Sequence, residues 1–342
     1  MFVDLWPLYT LMLRSRLLEE GIAKLWHEGF ISGEMHLGTG EEAVIAGIAA
    51  HLRDGDAMAL DHRGTAALLM RGVDPVAILR ELVGHPDGLC GGMGGHMHLY
   101  SKDILAASSG IVGSSGPCAA GFALAAQCLN PGSIVVAFFG EGAMNQGMLM
   151  ESLNLASSWS LPVVFVCKDD GWAITTQFQK STGGDLQERA RGLGVPAVAV
   201  DGLDVVEVAE AARPAIQRAR SGEGPTFLQA GCVHFEGHFL GYPLLRMVRE
   251  PMKEMPGVGA ALTQSLLRPG GSTLRERAAG IKDIGQAVLS TLRDPRRDAA
   301  NDPLTRARKA LLSDALRLQE LEAKAEREIN QALASVSAEL PS

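Results

Sequence analysis

Three short polar stretches interrupt the apolar middle of this chain, and each carries side chains able to hold a cation, a phosphate or a proton. They are Gly140-Glu141-Gly142-Ala143 (with Asn145-Gln146-Gly147 behind it), Lys168-Asp169-Asp170-Gly171-Trp172, and His234-Phe235-Glu236-Gly237-His238. A glycine-flanked acid directly before a helix suits a metal-bridged phosphate. The free N–H groups and the helix dipole hold the anion while the carboxylate holds the cation. Singly, each stretch is most often only a turn, and a lone histidine is more often structural than catalytic. Each, however, follows a run rich in β-branched residues. Glu141 and Asp170 are separated by one helix and one strand, a single crossover to the neighbouring parallel strand. Both acids are therefore expected at one sheet edge, close enough to share one Mg²⁺, which is commonly held by one or two carboxylates plus phosphate oxygens.

The elements that must position these residues can be read from periodicity. Apolar residues at helical spacing predict a helix over 8–29, ended by Gly29, and further helices over Glu41–Leu52 and Asp74–Val83. Residues 84–116 are glycine-rich and irregular, a length of loop that is usually functional. Strands are expected at Ser133–Phe139, Pro162–Cys167, Val195–Val200 and Thr226–Val233, with helices near 117–128, 145–159, 185–193 and 205–221. This alternation predicts an α/β fold, a mostly parallel sheet covered by helices on both faces, with ligands beyond the carboxyl ends of its strands. The chain divides into an α/β domain over 1–240, a variable and partly helical insertion over 241–300, and a C-terminal helical segment over 301–342. Asp302-Pro303 opens the helix of that last part.

Composition limits the classes of function. With 46% apolar and 20% charged residues among 342, the balance is globular, and the 40 glycines hint at loops that wrap a ligand. A net charge of −8 without a basic cluster argues against nucleic acid or an anionic membrane as partner. No apolar run spans a bilayer, and the N-terminal stretch reads as an amphipathic helix, so a cytoplasmic protein is expected. Five scattered cysteines without metal spacing read as reduced core residues. No G-x-G-x-x-G opens a helix after the first strand, which disfavours a nicotinamide-dependent oxidoreductase.

The segment from Gly140 to Thr176, GEGAMNQGMLMESLNLASSWSLPVVFVCKDDGWAITT, resembles the thiamine-diphosphate motif of the alpha subunits of pyruvate, branched-chain 2-oxo acid and acetoin dehydrogenases. The resemblance extends through HLGTGEEAVIAG (36–47), DHRGTAALLMRG (61–72), GGMGGHMH (91–98), GIVGSSGP (110–117) and HFEGH (234–238). It covers roughly 8–240 and, more loosely, 302–335. It implies thiamine diphosphate held with Mg²⁺, with Ca²⁺ or Mn²⁺ left open. Glu141, Asp170 and the carbonyl of Trp172 fall on metal-ligand positions. Gly142, Ala143, Arg63 and His62 fall on diphosphate contacts, and Gly110 and Val112 on main-chain contacts to the aminopyrimidine. His238 is similar to the loop histidine facing the reacting carbon, with His98 the second catalytic candidate and His96 left open between a structural and a catalytic role. The resemblance also implies a beta subunit that supplies the pyrimidine-activating carboxylate in an α2β2 assembly, a lipoyl-bearing acyltransferase as acceptor, and a small-molecule substrate. The His234–Gly241 loop leans toward acetoin-type relatives.

The departures from that family are chemical. Glu141 replaces an aspartate, Asp169-Asp170 an asparagine pair, and Lys168 a glutamate. The expectation is that Lys168 offsets Asp169 or Asp170. Thr65 stands for a histidine and His234 for an arginine. These changes keep two alternatives open, a non-catalytic paralogue and a thiamine-diphosphate lyase or ligase outside the dehydrogenase complexes.

Overall fold

The fold is that of a computed structural model, which describes residues 3–242, 246, 264 and 273–340. Seven strands form one sheet: β1 (Ala57–Leu60), β2 (Tyr100–Ser101), β3 (Ala106–Ser108), β4 (Val135–Gly140), β5 (Val163–Asp169), β8 (Ala197–Asp201) and β9 (Thr226–Gly231). Their spatial order is β2-β3-β1-β4-β5-β9-β8, and every pairing is parallel except the short β2–β3 edge. A separate two-stranded hairpin, β6 (Trp172–Ala173) with β7 (Thr176–Gln177), follows β5.

The strand sequences explain the layering. In β4 and β5 successive side chains alternate between two buried faces: Val136, Phe138, Val164 and Val166 point into one core, and Val135, Ala137, Phe139, Val163 and Phe165 into the other. A parallel sheet buried on both sides needs helices on both sides. One face is covered by α1 (Leu5–His27), α2 (Glu42–Ala49), α3 (Thr65–Met70) and α9 (Val205–Arg220). The other is covered by α5 (Ser115–Leu129), α6 (Gly147–Ser158) and α8 (Leu186–Gly192). The predicted architecture is thus the observed one. The elements that escaped the sequence reading are β1, β2, β3, α3, the β6–β7 hairpin and the short helix Phe178–Ser181 after it. β1 reads Ala-Met-Ala-Leu, four residues with no β-branched side chain, and owes its strand to pairing with β3 and β4.

The C-terminal helix Ala315–Ser337 packs on α1. Gly21 permits that approach, because a Cβ there would lie 2.4 Å from Leu333 Cδ1, and Tyr9 donates to Glu322 at 2.7 Å. Within the 241–300 stretch the described part is a helix, Leu274–Leu292, opened by a Thr273/Glu276 capping box, and the 3₁₀ turns that follow it. The rest of that stretch, apart from Gly241, Tyr242, Arg246 and Gln264, lies outside the described residues. All five cysteines are free. Cys167 and Cys232 are buried as expected, but Cys118 and Cys128 are exposed on the outer face of α5, which corrects the reading of the set as core residues.

Candidate active site

Because β4 and β5 are neighbours with Gly140 opposite Lys168, the residues that follow them emerge side by side at one sheet edge. Together with the loops after β1, β3 and β9 they close on a cavity of about 560 Å³. Its lining includes His62, Arg63, Gly110, Val112, Glu141, Gly142, Ala143, Asp170, Trp172 and His238. All the residues singled out from the sequence are therefore brought together except His98. That side chain is exposed and outside the lining, whereas its neighbour His96 is buried 2.9 Å from His36, which lines the cavity.

Glu141 begins a 3₁₀ turn, Glu141–Asn145, that runs into α6. The α6 N-terminus has no side-chain cap, so its first N–H groups remain available to an anion. Gly142 sits against the hairpin, where a Cβ would come 3.1 Å from Ala173 Cβ. Glu141 is almost fully buried and its Oε1 has no hydrogen-bond partner. Burial, then the charges of Asp170 and Asp169, pushes the Glu141 carboxyl well above the glutamate range. Burial acts on Asp170 in the same direction, but the His234 imidazole, its Nδ1 2.7 Å from Oδ2, outweighs it and holds Asp170 well below the aspartate range. An unpaired buried carboxyl beside an ionised one is costly without a cation, and the pair presents hard oxygen donors.

The expected role of Lys168 is corrected. Its ammonium lies 2.5 Å from Glu41 and 3.0 Å from Asp61; Lys168 and Glu41 are buried and Asp61 is partly buried. Burial disfavours the lysine charge, but Asp61 and Glu41 outweigh that and raise its pKa. Asp169, on the opposite face of the strand, accepts instead from Gln229 Nε2 at 2.7 Å and from the Gly171 N–H. Asp170 is matched by His234. Glu41 also faces His234 Nε2 at 3.4 Å and Arg63 Nε at 3.7 Å, so a continuous buried charge network runs from Asp61 to Asp170. Thr65 donates its hydroxyl to Glu19.

Arg63 is buried and donates to the carbonyls of Leu37 and His238, fixing the loop that carries His238 at the cavity wall. His36, His62 and His238 form a mutually contacting trio of rings. Burial, followed by the Arg63 charge, lowers His36 and His62 to about 2 and His238 to about 4, so all three are neutral at pH 7.

Sequence reasoning missed His36, Glu41 and Asp61. The signal was present: a lysine at the end of an apolar strand must meet acids, and both acids sit within the quoted motifs. It also found no meaning in the stretch around 294–297. There Arg296, held by Asp294 at 2.8 Å, donates to the carbonyls of Cys232 (2.9 Å) and Asp170 (2.7 Å). It braces the strand ends directly behind the carboxylate pair. Tyr242 adds a second brace, donating to the Ile174 carbonyl at 2.6 Å in the hairpin turn.

A parallel sheet with an acidic, glycine-walled cavity at its carboxyl edge defines a cofactor-binding α/β enzyme. The chain belongs to the dehydrogenase E1 component family, whose model matches residues 9–243, and is a thiamine-diphosphate-dependent oxidoreductase. It is 44% identical over 236 residues to the alpha subunit of acetoin:2,6-dichlorophenolindophenol oxidoreductase from Cupriavidus necator, covering 68% of this chain and 71% of that one. It is 41% identical to the Bacillus subtilis protein of the same name, over 69% and 72% of the two chains. The pyruvate dehydrogenase E1 alpha subunit of Zymomonas mobilis is 37% identical over 74% of this chain and 72% of its own. No helix among the described residues is long and apolar enough to cross a membrane.

Proposed function

We propose that this chain is the alpha-type subunit of an acetoin dehydrogenase, with 2-oxo acids as the alternative substrate class, and that it holds the diphosphate and metal of thiamine diphosphate. The observation that carries the reading is the buried carboxylate pair: Glu141 and Asp170 adjoin at the ends of neighbouring strands, and Glu141 Oε1 lacks any partner. In this reading Glu141, Asp170 and the Trp172 carbonyl ligate Mg²⁺. The Gly142 and Ala143 backbone and the open α6 N-terminus receive the diphosphate, with Arg63 and His62 beside it. The main chain at Gly110 and Val112 takes the aminopyrimidine. When bound, the cofactor supplies a carbanion that cleaves the bond beside a carbonyl.

The chain's own residues bind, orient and shield. His238, neutral at pH 7, can donate or accept a hydrogen bond at the substrate oxygen without bringing a fixed charge. Phe139, Met97 and Phe239 wall the cavity with apolar surface that keeps water from the reacting carbon. The lean toward acetoin is supported by two relatives above 40% identity, both named for that activity.

A beta subunit is part of the proposal. Ile111, Val112 and Ile174 line the cavity yet are half or more exposed, and Leu124, Cys128 and Leu129 leave an apolar strip on α5 uncovered. Such surface suits burial in an α2β2 assembly in which the partner completes the site. A lipoyl-bearing acyltransferase is the acceptor expected of that assembly.

The test is dye reduction by the chain reconstituted with a beta-type subunit, thiamine diphosphate and Mg²⁺. Reduction of dichlorophenolindophenol with acetoin well ahead of pyruvate or branched 2-oxo acids supports the proposal. A preference for a 2-oxo acid moves the substrate to that class. Bound cofactor with no dye reduction on any of them points instead to a lyase or ligase.

A further inference from the structure

We propose that His36, His62 and His238 form a second metal site in this cavity, selective for a borderline transition ion such as Zn²⁺, and that its occupancy excludes the magnesium-held cofactor. One ring nitrogen from each residue lies within 4.8 Å of the other two. The rings come from three separate segments, after α1, after β1 and after β9, with centroids 4.6, 5.0 and 5.5 Å apart. Three imidazoles and a water around Zn²⁺ at roughly 2.0–2.1 Å place their nitrogens about 3.4 Å apart. The trio must therefore contract by about an ångström, within the reach of side-chain rotation about the metal.

The donors are prepared for this. His36 Nδ1 is engaged with His96 Nε2 at 2.9 Å, which leaves His36 Nε2 as its free nitrogen and fixes the ring as an outer-sphere partner does in metal sites. His62 Nε2 is buried without a hydrogen-bond partner, so one nitrogen of the trio has no protein group to satisfy it. Arg63 opposes a second cation nearby. Its guanidinium is spent on two carbonyls, however, and its charge is countered by Glu41 at 3.7 Å. Ligand chemistry separates the two sites: carboxylate and carbonyl oxygens take Mg²⁺, and neutral imidazoles take Zn²⁺.

The exclusion of cofactor rests on the reading of the cavity under Proposed function; the metal site does not. Co²⁺ serves as the probe, titrated into the full chain with and without saturating thiamine diphosphate and Mg²⁺. The expected result is one Co²⁺ per chain with visible bands of a four-coordinate nitrogen site, displaced by Zn²⁺ and suppressed by the cofactor. His62→Phe and His238→Asn should each weaken uptake at least about tenfold, since even outer partners of metal ligands cost that much. His85→Asn, at a partly exposed histidine outside the cavity, should leave it unchanged. Thermal melts by circular dichroism verify that the variants are folded, and His238→Asn alone decides if His62→Phe is not. No uptake by the unaltered chain, uptake unchanged in the folded His62 and His238 variants, or loss in His85→Asn overturns the site. Simultaneous binding of Co²⁺ and cofactor overturns the exclusion. Co²⁺ uptake by a chain that binds no cofactor even with a beta-type subunit present would overturn the proposed function and leave the site standing.

Discussion

Replacing Lys168 by methionine tests whether the buried charge network holds this edge of the sheet together. The lysine is 2% exposed and is the shared partner of Glu41 and Asp61. Glu41 keeps Arg63 at 3.7 Å and His234 at 3.4 Å after the change, but Asp61 keeps only the Arg63 backbone N–H at 3.1 Å among its close hydrogen bonds. Breaking a buried pair by removing one partner costs about 3–5 kcal/mol, because it leaves an uncompensated charge. The residual partners of Glu41 place Lys168→Met near the lower figure, about 3 kcal/mol, or roughly 150-fold in the unfolding equilibrium. Urea denaturation at fixed protein concentration reads this as a lowered midpoint with unchanged slope. Adding Asp61→Asn should recover much of the loss, since the stranded carboxylate is then gone. A cost below about 1 kcal/mol, or a double variant no more stable than the single, would refute the reasoning.

Arg296→Met should weaken metal-dependent cofactor binding by about tenfold while the fold stays intact, because it releases the carbonyls of Asp170 and Cys232 rather than a ligand. Titration calorimetry at several Mg²⁺ concentrations checks it, and an unchanged affinity would show that the strand ends need no brace. Glu19 provides a pH test. Burial pushes its carboxyl up to about 7, so the stability it contributes is present below the ordinary value near 4.5 and is lost as pH rises through about 7. Comparing melts of the unaltered chain and Glu19→Gln from pH 5 to pH 8, roughly those limits, the difference should swing by up to about 3 kcal/mol in favour of the variant at high pH. Parallel curves would mean that Glu19 titrates normally.

The sheet was legible because β4, β5 and β9 are apolar runs separated by helices with ordinary start signals, such as Asp204, whose side chain caps the N-terminus of α9. The crossover between Glu141 and Asp170 followed from that alone. β1 was not legible, since nothing in Ala-Met-Ala-Leu favours a strand until its neighbours are in place. The partner of Lys168 was misread for a related reason. Adjacency in sequence suggested Asp169 or Asp170, whereas the pleat sends Asp169 to the other face and the α2 N-terminus brings Glu41 from far along the chain. Gly40 makes that approach feasible: it sits at φ +102°, and a Cβ there would lie 1.7 Å from the Val233 carbonyl oxygen. A glycine required by a segment more than a hundred residues away leaves no local pattern. His98 was ranked above His96 for want of any signal about which side chain turns inward.

The most direct test is calorimetric titration of thiamine diphosphate with Mg²⁺ into the chain, alone and with a beta-type subunit, for the unaltered protein and Glu141→Ala. Saturable binding that requires Mg²⁺, tightens with the partner and is lost in Glu141→Ala is the predicted result. Binding that is indifferent to Glu141, or absent with the partner present, would contradict it.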